Sequence, residues 1–145
     1  MNIWHQSLTV DDLNHYQQQT LVTHLGIRYT EIGENYLKAV MPVDARTKQP
    51  AGILHGGASV ALAETLGSTG ANLVVDRTQK LCVGLDINAN HIRAMRAGQV
   101  TGTARPVHIG GSTQVWEIRI TGGEEKLVCI ARITMAVLDR ASFEG

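Results

Sequence analysis

Alternation of apolar and polar residues dominates the second half of the chain and predicts β-strands there. Apolar side chains recur at every second position over 81–89, and three further β-type segments follow, separated by polar or glycine-containing stretches. Glycine pairs at 110–111 and 122–123 are typical of hairpin turns, so the later segments should pair as antiparallel neighbours. The four predicted consecutive strands cover residues 81–89, 100–109, 113–121 and 127–138.

A further strand is predicted from about Glu34 to Val43, where the same alternation appears earlier in the chain. Side chains on one face of each strand should point towards the core, because successive residues of a strand alternate between its two faces. The expected inward faces comprise Leu37, Ala39, Met41 and Val43 in this strand, Leu81, Val83, Leu85, Ile87 and Ala89 in 81–89, and Gln114, Trp116, Ile118 and Ile120 in 113–121.

Helices are predicted in the first quarter and in the middle of the chain. Thr9 to Asp12 resembles a capping box, which predicts a short helix to about Gln19 and a further turn over 21–25. A long helix is predicted over 56–75, because this segment lacks proline and is followed by a polar stop. The tail over 139–145 has no periodic pattern and is expected to lack regular structure.

This order of elements predicts an α+β fold. Consecutive strands joined by hairpins form a mainly antiparallel sheet, and a long apolar helix must bury its surface against that sheet. The expected architecture is a curved antiparallel β-sheet wrapped around a long central α-helix. A length of 145 residues predicts one domain over 1–145.

Composition and charge exclude several classes of function. Thirteen basic and thirteen acidic residues give no net field for attracting nucleic acid or an anionic membrane. The N-terminus lacks the pattern of a signal peptide, and no segment has the composition of a membrane span, so a cytoplasmic protein is expected. Cys82 and Cys129 are isolated in apolar segments and are predicted to be reduced core thiols.

Glu64 is the most informative single residue. It is the only formally charged side chain between Lys48 and Asp76, within a run of small and apolar residues. Carboxylates are seldom buried unless they are paired or used in chemistry, so Glu64 is a candidate catalytic base in a dry site. The alternative is that Glu64 lies on a solvent-facing polar stripe of the helix. The residues on the same helical face, such as Val60 and Ser68, do not form such a stripe.

A His55-Gly56-Gly57 step begins the long helix and is a second candidate for chemistry. Free N–H groups and the helix dipole at such a position can stabilise a developing oxyanion. The alternatives are a purely geometric role for the glycines and a structural role for His55. The polar strand end over 88–93 and the hairpin over 109–112 are weaker candidates for a pocket, and the sequence contains no metal-binding or nucleophile-elbow motif.

The spacing of Gly56 and Glu64 has a consequence for assembly. Eight residues of helix separate their positions by about 12 Å, so one carbonyl group cannot easily contact both residues of the same helix. If both serve one reaction, they should come from different subunits. A homodimer with two composite sites is therefore predicted.

Three segments together resemble a known family. The runs MPVDARTKQPAGILHGGASVALAETLGS at 41–68, VGLDINANHIR at 83–93 and PVHIGGSTQVWEI at 106–118 closely resemble the hotdog-fold acyl-CoA thioesterases. Within that family they are most similar to enzymes that hydrolyse aryl thioesters of CoA or of a carrier protein. That group includes the 1,4-dihydroxy-2-naphthoyl-CoA and enterobactin-proofreading thioesterases.

The resemblance implies a role for each matched residue. Glu64 would be the catalytic carboxylate, acting as a general base or as a nucleophile, while the Gly56 N–H polarises the thioester carbonyl. Gln49 and His55 would orient the thioester or the water from the opposite subunit. The implied assembly is a homotetramer of two dimers, and neither a cofactor nor a metal is required. The implied substrate-binding positions are Gly57, Ser68, Val83, Gly84, His91, Arg93, Gly110 and Gly111.

Two departures from the family pattern concern the substrate. Ala51 replaces an aromatic residue, which implies a wider acyl pocket or entrance, and Gly111 replaces an arginine, which leaves Arg93 or Arg96 to hold CoA phosphates. Two other functions are alternatives: an acyl-thioester hydratase of the same fold, which the HGG…AE pattern disfavours, and a non-catalytic acyl-CoA sensor, which would need no Glu64.

Overall fold

Residues 2–144 are described by a computed structural model, and within this range the chain forms four α-helices and six β-strands. No helix in that range is long and apolar enough to cross a membrane. In chain order the elements are α1 (Val10–Tyr16), α2 (Leu21–His24), β1 (Arg28–Ile32), β2 (Leu37–Pro42), α3 (Gly56–Val74), β3 (Lys80–His91), β4 (Gln99–Ile109), β5 (Thr113–Thr121), β6 (Leu127–Asp139) and α4 (Arg140–Glu144).

The six strands form one antiparallel sheet with the order β1-β2-β4-β5-β6-β3. Helix α3 packs against five of these strands, β2 to β6. The predicted α+β class and the hotdog arrangement of a curved sheet around a long helix are therefore confirmed. Strand β3 pairs with β6 instead of β4, the strand that follows it in sequence, so β3 lies at one edge of the sheet.

The first part of the sheet differs from the sequence prediction. One strand was expected from about Glu34, but the chain forms a hairpin of β1 and the shorter strand β2. Strand β1 lies at the other edge of the sheet, and only Tyr29 of its five residues is fully buried. Its mostly polar sequence has no alternation to detect, because an edge strand buries little of its surface.

The helical predictions are confirmed with shifted ends. Thr9 and Asp12 form the predicted capping box, but α1 ends at Tyr16 and not near Gln19. Helix α3 has the predicted start and ends one residue early, at Val74. The tail expected to be irregular forms the short helix α4, and Gly145 lies outside the described residues.

The main core lies between α3 and the sheet. Leu62 and Leu66 of α3 are fully buried. Glycines on α3 let the sheet approach closely, since a Cβ on Gly67 would lie 2.5 Å from Ile133 and one on Gly70 would lie 2.8 Å from the Trp116 ring. The predicted inward faces of the strands over 34–43 and 113–121 are confirmed, because all of their members are buried.

A β-bulge changes the alternation in β3. Gly84 pairs with Met135 and Asp86 with the adjacent Thr134, so Leu85 is an extra residue with no partner on β6. One extra residue reverses which positions face inwards. Cys82 before the bulge is buried, whereas Ile87 after it packs on the core. The prediction that Leu81, Val83, Leu85, Ile87 and Ala89 share one face is therefore wrong, and the Leu85 side chain is 62% exposed.

Both cysteines are buried and unpaired, as predicted. Burial disfavours the thiolate, which raises the pKa of Cys82 to about 11 and also raises the pKa of Cys129. Because only the thiolate reacts, we expect neither thiol to react with a thiol-specific reagent at pH 8 in the folded protein. Both should react after denaturation. Rapid labelling of the native protein would contradict this prediction.

Candidate active site

The start of α3 has one backbone donor without an internal acceptor. The His55 carbonyl oxygen accepts hydrogen bonds from the N–H groups of Ala58 and Ser59. The Nδ1 atom of the His55 ring accepts a hydrogen bond from the Gly57 N–H at 2.7 Å. Within the described part of the chain, the Gly56 N–H has no acceptor. This donor lies at the positive end of the helix dipole, where it can bind a carbonyl oxygen.

The loop before α3 is held in place by main-chain hydrogen bonds and one buried threonine. Thr47 is 2% exposed, and its Oγ1 donates to the Pro42 carbonyl at 2.7 Å. Its own carbonyl accepts from the His55 N–H at 2.8 Å. The Gln49 side-chain oxygen accepts from the Ala51 N–H. These bonds fix Gln49 and His55 on either side of the turn that leads into α3.

Four of the predicted site residues meet in one cavity beside the helix start, which we call the Gly56 pocket. It has a volume of about 270 Å³, and Gln49, Gly56, His91 and Arg93 all line it. The His91 ring lies over Gly56, because a Cβ added to Gly56 would be 2.9 Å from Nε2. The full lining is Gln49, Ile53, Leu54, Gly56, Ser59, His91, Ile92, Arg93, Ala94 and Val128.

Glu64 lines a different cavity, which we call the Glu64 pocket. It has a volume of about 330 Å³ and lies between α2 and the first half of α3. Glu64 is the only ionisable side chain in its lining, which consists of Leu21, Val22, Leu25, Ile27, Gly57, Val60, Ala61, Glu64 and Thr65. The carboxylate also lies against Gly84 of β3, since a Cβ there would be 2.6 Å from Oε2. The carboxylate is thus half-buried beside a mainly apolar cavity, in which a substrate carbonyl could reach it.

On one chain, therefore, the two candidate chemical groups line separate cavities. Gly56 and Glu64 are eight residues apart on one uninterrupted helix, a separation of about 12 Å. Gly57 lines the Glu64 pocket, while Gln49, His91 and Arg93 line the Gly56 pocket.

The other predicted substrate-binding residues lie outside both pockets. Ser68 lines a third cavity, of about 300 Å³, between α1 and α3, and its Oγ lies 3.8 Å from the Met135 sulfur. Val83 is half-buried on β3. Gly110 and Gly111 form the turn between β4 and β5, where the Gly110 N–H donates to the Thr113 carbonyl at 2.9 Å.

Sequence reasoning did not identify two groups that shape the site. The apolar side chains of α2 form one wall of the Glu64 pocket, although the sequence shows them only as a short helical turn. Asn72 connects α3 to β3 through its side-chain amide. An amide within the mainly apolar helix was a detectable signal for this contact. Among residues 2–144, no three His, Cys, Asp or Glu side chains are placed to hold a metal ion.

Comparison with known proteins identifies the family. The family model of the thioesterase superfamily matches residues 51–129. The chain is 48% identical to the 1,4-dihydroxy-2-naphthoyl-CoA hydrolase of Escherichia coli over 94% of this chain and 99% of that protein. It is also 48% identical to the proofreading thioesterase EntH of Cronobacter turicensis, over 94% of this chain and 98% of the relative.

A solved structure agrees with these matches. The crystal structure of a mutant of thioesterase PA1618 from Pseudomonas aeruginosa has a TM-score of 0.93 and 49% sequence identity, covering 95% of this chain and 99% of that chain. The resemblance drawn from the three motifs is thus confirmed over nearly the whole chain. The protein belongs to the thioesterase superfamily and is a thioester hydrolase.

Proposed function

We propose that this enzyme hydrolyses aryl thioesters, with an acyl group of the hydroxybenzoyl or hydroxynaphthoyl type bound to CoA or to a carrier protein. The observation that supports this most directly is the Glu64 carboxylate at an apolar cavity of about 330 Å³. Such a cavity suits a flat apolar ring beside a reacting carbonyl group. One relative supports the acyl class, because it is named for 1,4-dihydroxy-2-naphthoyl-CoA.

The active site is proposed to be composite, with Glu64 from one subunit and the helix start of α3 from its partner. The separation of the Gly56 and Glu64 pockets on one chain supports this arrangement. A twofold axis that brings one subunit's Gly56 pocket to the other's Glu64 pocket creates two equal sites per dimer. We further propose that two such dimers form the homotetramer that the family resemblance implies.

In the proposed reaction, the Gly56 N–H donates a hydrogen bond to the thioester carbonyl oxygen. This bond and the helix dipole stabilise the negative charge that develops on that oxygen. Glu64 acts as a general base and removes a proton from the attacking water. The bond between carbonyl carbon and sulfur then breaks, and the departing thiolate takes up the proton held by Glu64. Gln49 and His55 orient the thioester or the water.

Glu64 can instead act as a nucleophile within the same geometry. Its carboxylate would attack the carbonyl carbon, release the thiol and form a mixed anhydride, which water then hydrolyses to regenerate the carboxylate. Both routes use the same two groups and yield the same acid and thiol. Incorporation of ¹⁸O from labelled water into Glu64 during a single turnover would establish the nucleophilic route with attack of water at the Glu64 carbonyl, because the base route leaves both carboxylate oxygens in place.

The remaining predicted residues are proposed to bind the thiol arm of the substrate. Arg93 lines the Gly56 pocket and is exposed, so it is placed to meet a phosphate group of that arm, with Arg96 on the same loop as the alternative. His91 covers Gly56 and borders the path to the carbonyl. Val83 and the turn at Gly110 and Gly111 complete this set. Ser68, one turn beyond Glu64 on α3, is proposed to contact the water or the acyl group.

Comparison of acyl-CoA substrates tests this proposal. We expect kcat/KM for benzoyl-, hydroxybenzoyl- and hydroxynaphthoyl-CoA to exceed that for medium-chain fatty acyl-CoA by about tenfold or more, equivalent to about 1.4 kcal/mol of transition-state binding. Val22→Phe should reduce turnover of hydroxynaphthoyl-CoA more than that of benzoyl-CoA, because it fills the wall of the Glu64 pocket. Val22 is half-buried and packs against the core, so the melting temperature of the variant is measured alongside its activity as the control for folding.

Equal turnover of aryl and fatty acyl substrates would contradict the aryl specificity and leave thioester hydrolysis standing. Binding of every substrate without release of free thiol would instead indicate a non-catalytic acyl-CoA-binding protein. Release of a hydrated acyl thioester would indicate a hydratase. Each product is distinguished by chromatography and mass spectrometry of the reaction mixture.

A further inference from the structure

The Glu64 carboxylate occupies the space that a side chain at position 84 would fill. A Cβ added to Gly84 would lie 2.6 Å from Glu64 Oε2 and 3.8 Å from its Cδ. The next atom is Ile133 Cδ1 at 3.7 Å, which is an ordinary van der Waals contact. A methyl group at this position would therefore collide with the carboxylate and with no other group.

Backbone conformation does not require glycine at this position. The glycines with positive φ among residues 2–144 are Gly26, Gly52 and Gly98, so Gly84 lies in a region that other residues adopt readily. Glycine in the interior of a strand weakens the strand and often marks a close approach by another group. At Gly84 the approaching group is the candidate catalytic carboxylate.

The bulge in β3 fixes the direction in which Gly84 faces. Gly84 is the last residue that faces α3 before Leu85 is inserted, and after the bulge the inward positions shift by one residue. Bulges often lie beside active sites, where they change the direction of a strand or a side chain. At this position, on the edge strand of the sheet, β3 therefore faces Glu64 with main-chain atoms only.

Asn72 sets the distance between α3 and this part of β3. Its Nδ2 donates to the Cys82 carbonyl at 3.0 Å, and its Oδ1 accepts from the Cys82 N–H at 2.9 Å. The same amide donates to the Ser68 carbonyl on its own helix at 2.9 Å. Cys82 is two residues before Gly84, so this pair of bonds holds β3 against the helix that carries Glu64.

We propose that Gly84 is a positioning residue for Glu64: the absent side chain and the Asn72 contact together form the space that holds the carboxylate in its reactive position. This inference rests on the catalytic role proposed for Glu64. Under this inference, Gly84 acts on the reaction through the Glu64 carboxylate, which is a function in addition to contact with the substrate. A methyl group there should displace the end of a flexible side chain without moving the main chain.

Gly84→Ala tests this directly. We expect kcat to fall by about 10²-fold, the effect of displacing a reacting group by roughly 1 Å, with little change in KM or in the melting temperature. Gly123→Ala is the matched control, because a Cβ at Gly123 meets nothing within 4 Å and its φ is not positive. It should change neither activity nor stability. A rise in KM at unchanged kcat for Gly84→Ala would indicate a substrate contact and overturn the proposal.

A double-mutant cycle with Glu64→Asp isolates the contact between the two residues. Aspartate is one methylene shorter, so its oxygens should not reach the added methyl. We therefore expect Gly84→Ala to cost much less in the Glu64→Asp background than in the wild-type background. Equal fold losses in both backgrounds would overturn the proposal, even if the methyl group also lowers stability.

The failure of this inference can be distinguished from failure of the proposed function. If Glu64→Gln is inactive while Gly84→Ala retains full activity, the catalytic role stands and the positioning role is wrong. If Glu64→Gln retains full activity, Glu64 is not the catalytic carboxylate and the positioning role fails with it.

Discussion

Replacement of Glu64 by glutamine is expected to reduce kcat by about 10² to 10⁴-fold, the range that general acid–base groups contribute. Glutamine has nearly the same shape and can still lie against Gly84, but it neither accepts the proton from water nor attacks the carbonyl. Release of free thiol measures the effect. Both protein thiols are buried, so a thiol-specific reagent should report the product without a background from the enzyme.

The control for this variant is Glu125→Gln, which removes the same charge from an exposed turn between β5 and β6. It should leave kcat and the melting temperature unchanged. Glu64→Gln should also retain the wild-type melting temperature, because no ion pair of Glu64 is among those in the described chain. A variant that keeps kcat within a few-fold of the wild type would refute the role of Glu64.

Restoration of activity by two inactive subunits is the second large effect that we expect. Gln49→Ala and Glu64→Gln should each inactivate the homo-oligomer, since each removes one half of the proposed site. A heterodimer of the two variants has one site with both defects and one site with neither. Random assortment on co-expression should therefore restore about one quarter of the wild-type activity, from the geometry of a twofold interface.

Two affinity tags allow the heterodimer to be purified and its sites to be counted. A heterodimer alone should have about half of the wild-type kcat per subunit, because one of its two sites is intact. In the proposed homotetramer, doubly tagged assemblies also contain inactive homodimers, so their kcat per subunit should lie between about one quarter and about one half of the wild-type value. If both residues act within one subunit, every site of the heterodimer is defective and no activity returns. Mixing the variants only after purification controls for subunit exchange during the assay.

The long helix and the central strands could be predicted because their patterns are strong and local. Helix α3 has no proline over 19 residues, and apolar and polar side chains alternate over 116–121. Glu64 was recognisable for a related reason, since a single carboxylate in a long apolar run is chemically exceptional. The turn at Gly122 and Gly123 does join β5 and β6, but a 3-10 turn over Gly123–Glu125 lengthens it.

The features that could not be predicted depend on contacts distant in sequence. Strand β1 is short and lies at an edge, so its polar side chains show no period. Pairing of β3 with β6 depends on the path of the chain after the strand and not on alternation within it. The bulge at Leu85 could not be detected, because the apolar residues over 81–89 continue to alternate in the sequence across it. The space between Gly84 and Glu64 likewise exists only after helix and strand have packed together.

Under the proposed function, helix α2 would shape the acyl cavity without carrying a reacting group. Its four residues, Leu21–His24, have no fully buried side chain, yet Leu21 and Val22 form a wall of the Glu64 pocket. Val22 packs against the core, whereas Leu21 is 62% exposed, and exposed positions accept substitutions at little cost in stability. Mutations there can reshape the cavity while α3 and Glu64 remain unchanged. Under the proposed function, substitution of Leu21 should change the acyl preference, which makes this short segment a natural target for engineering a new substrate range.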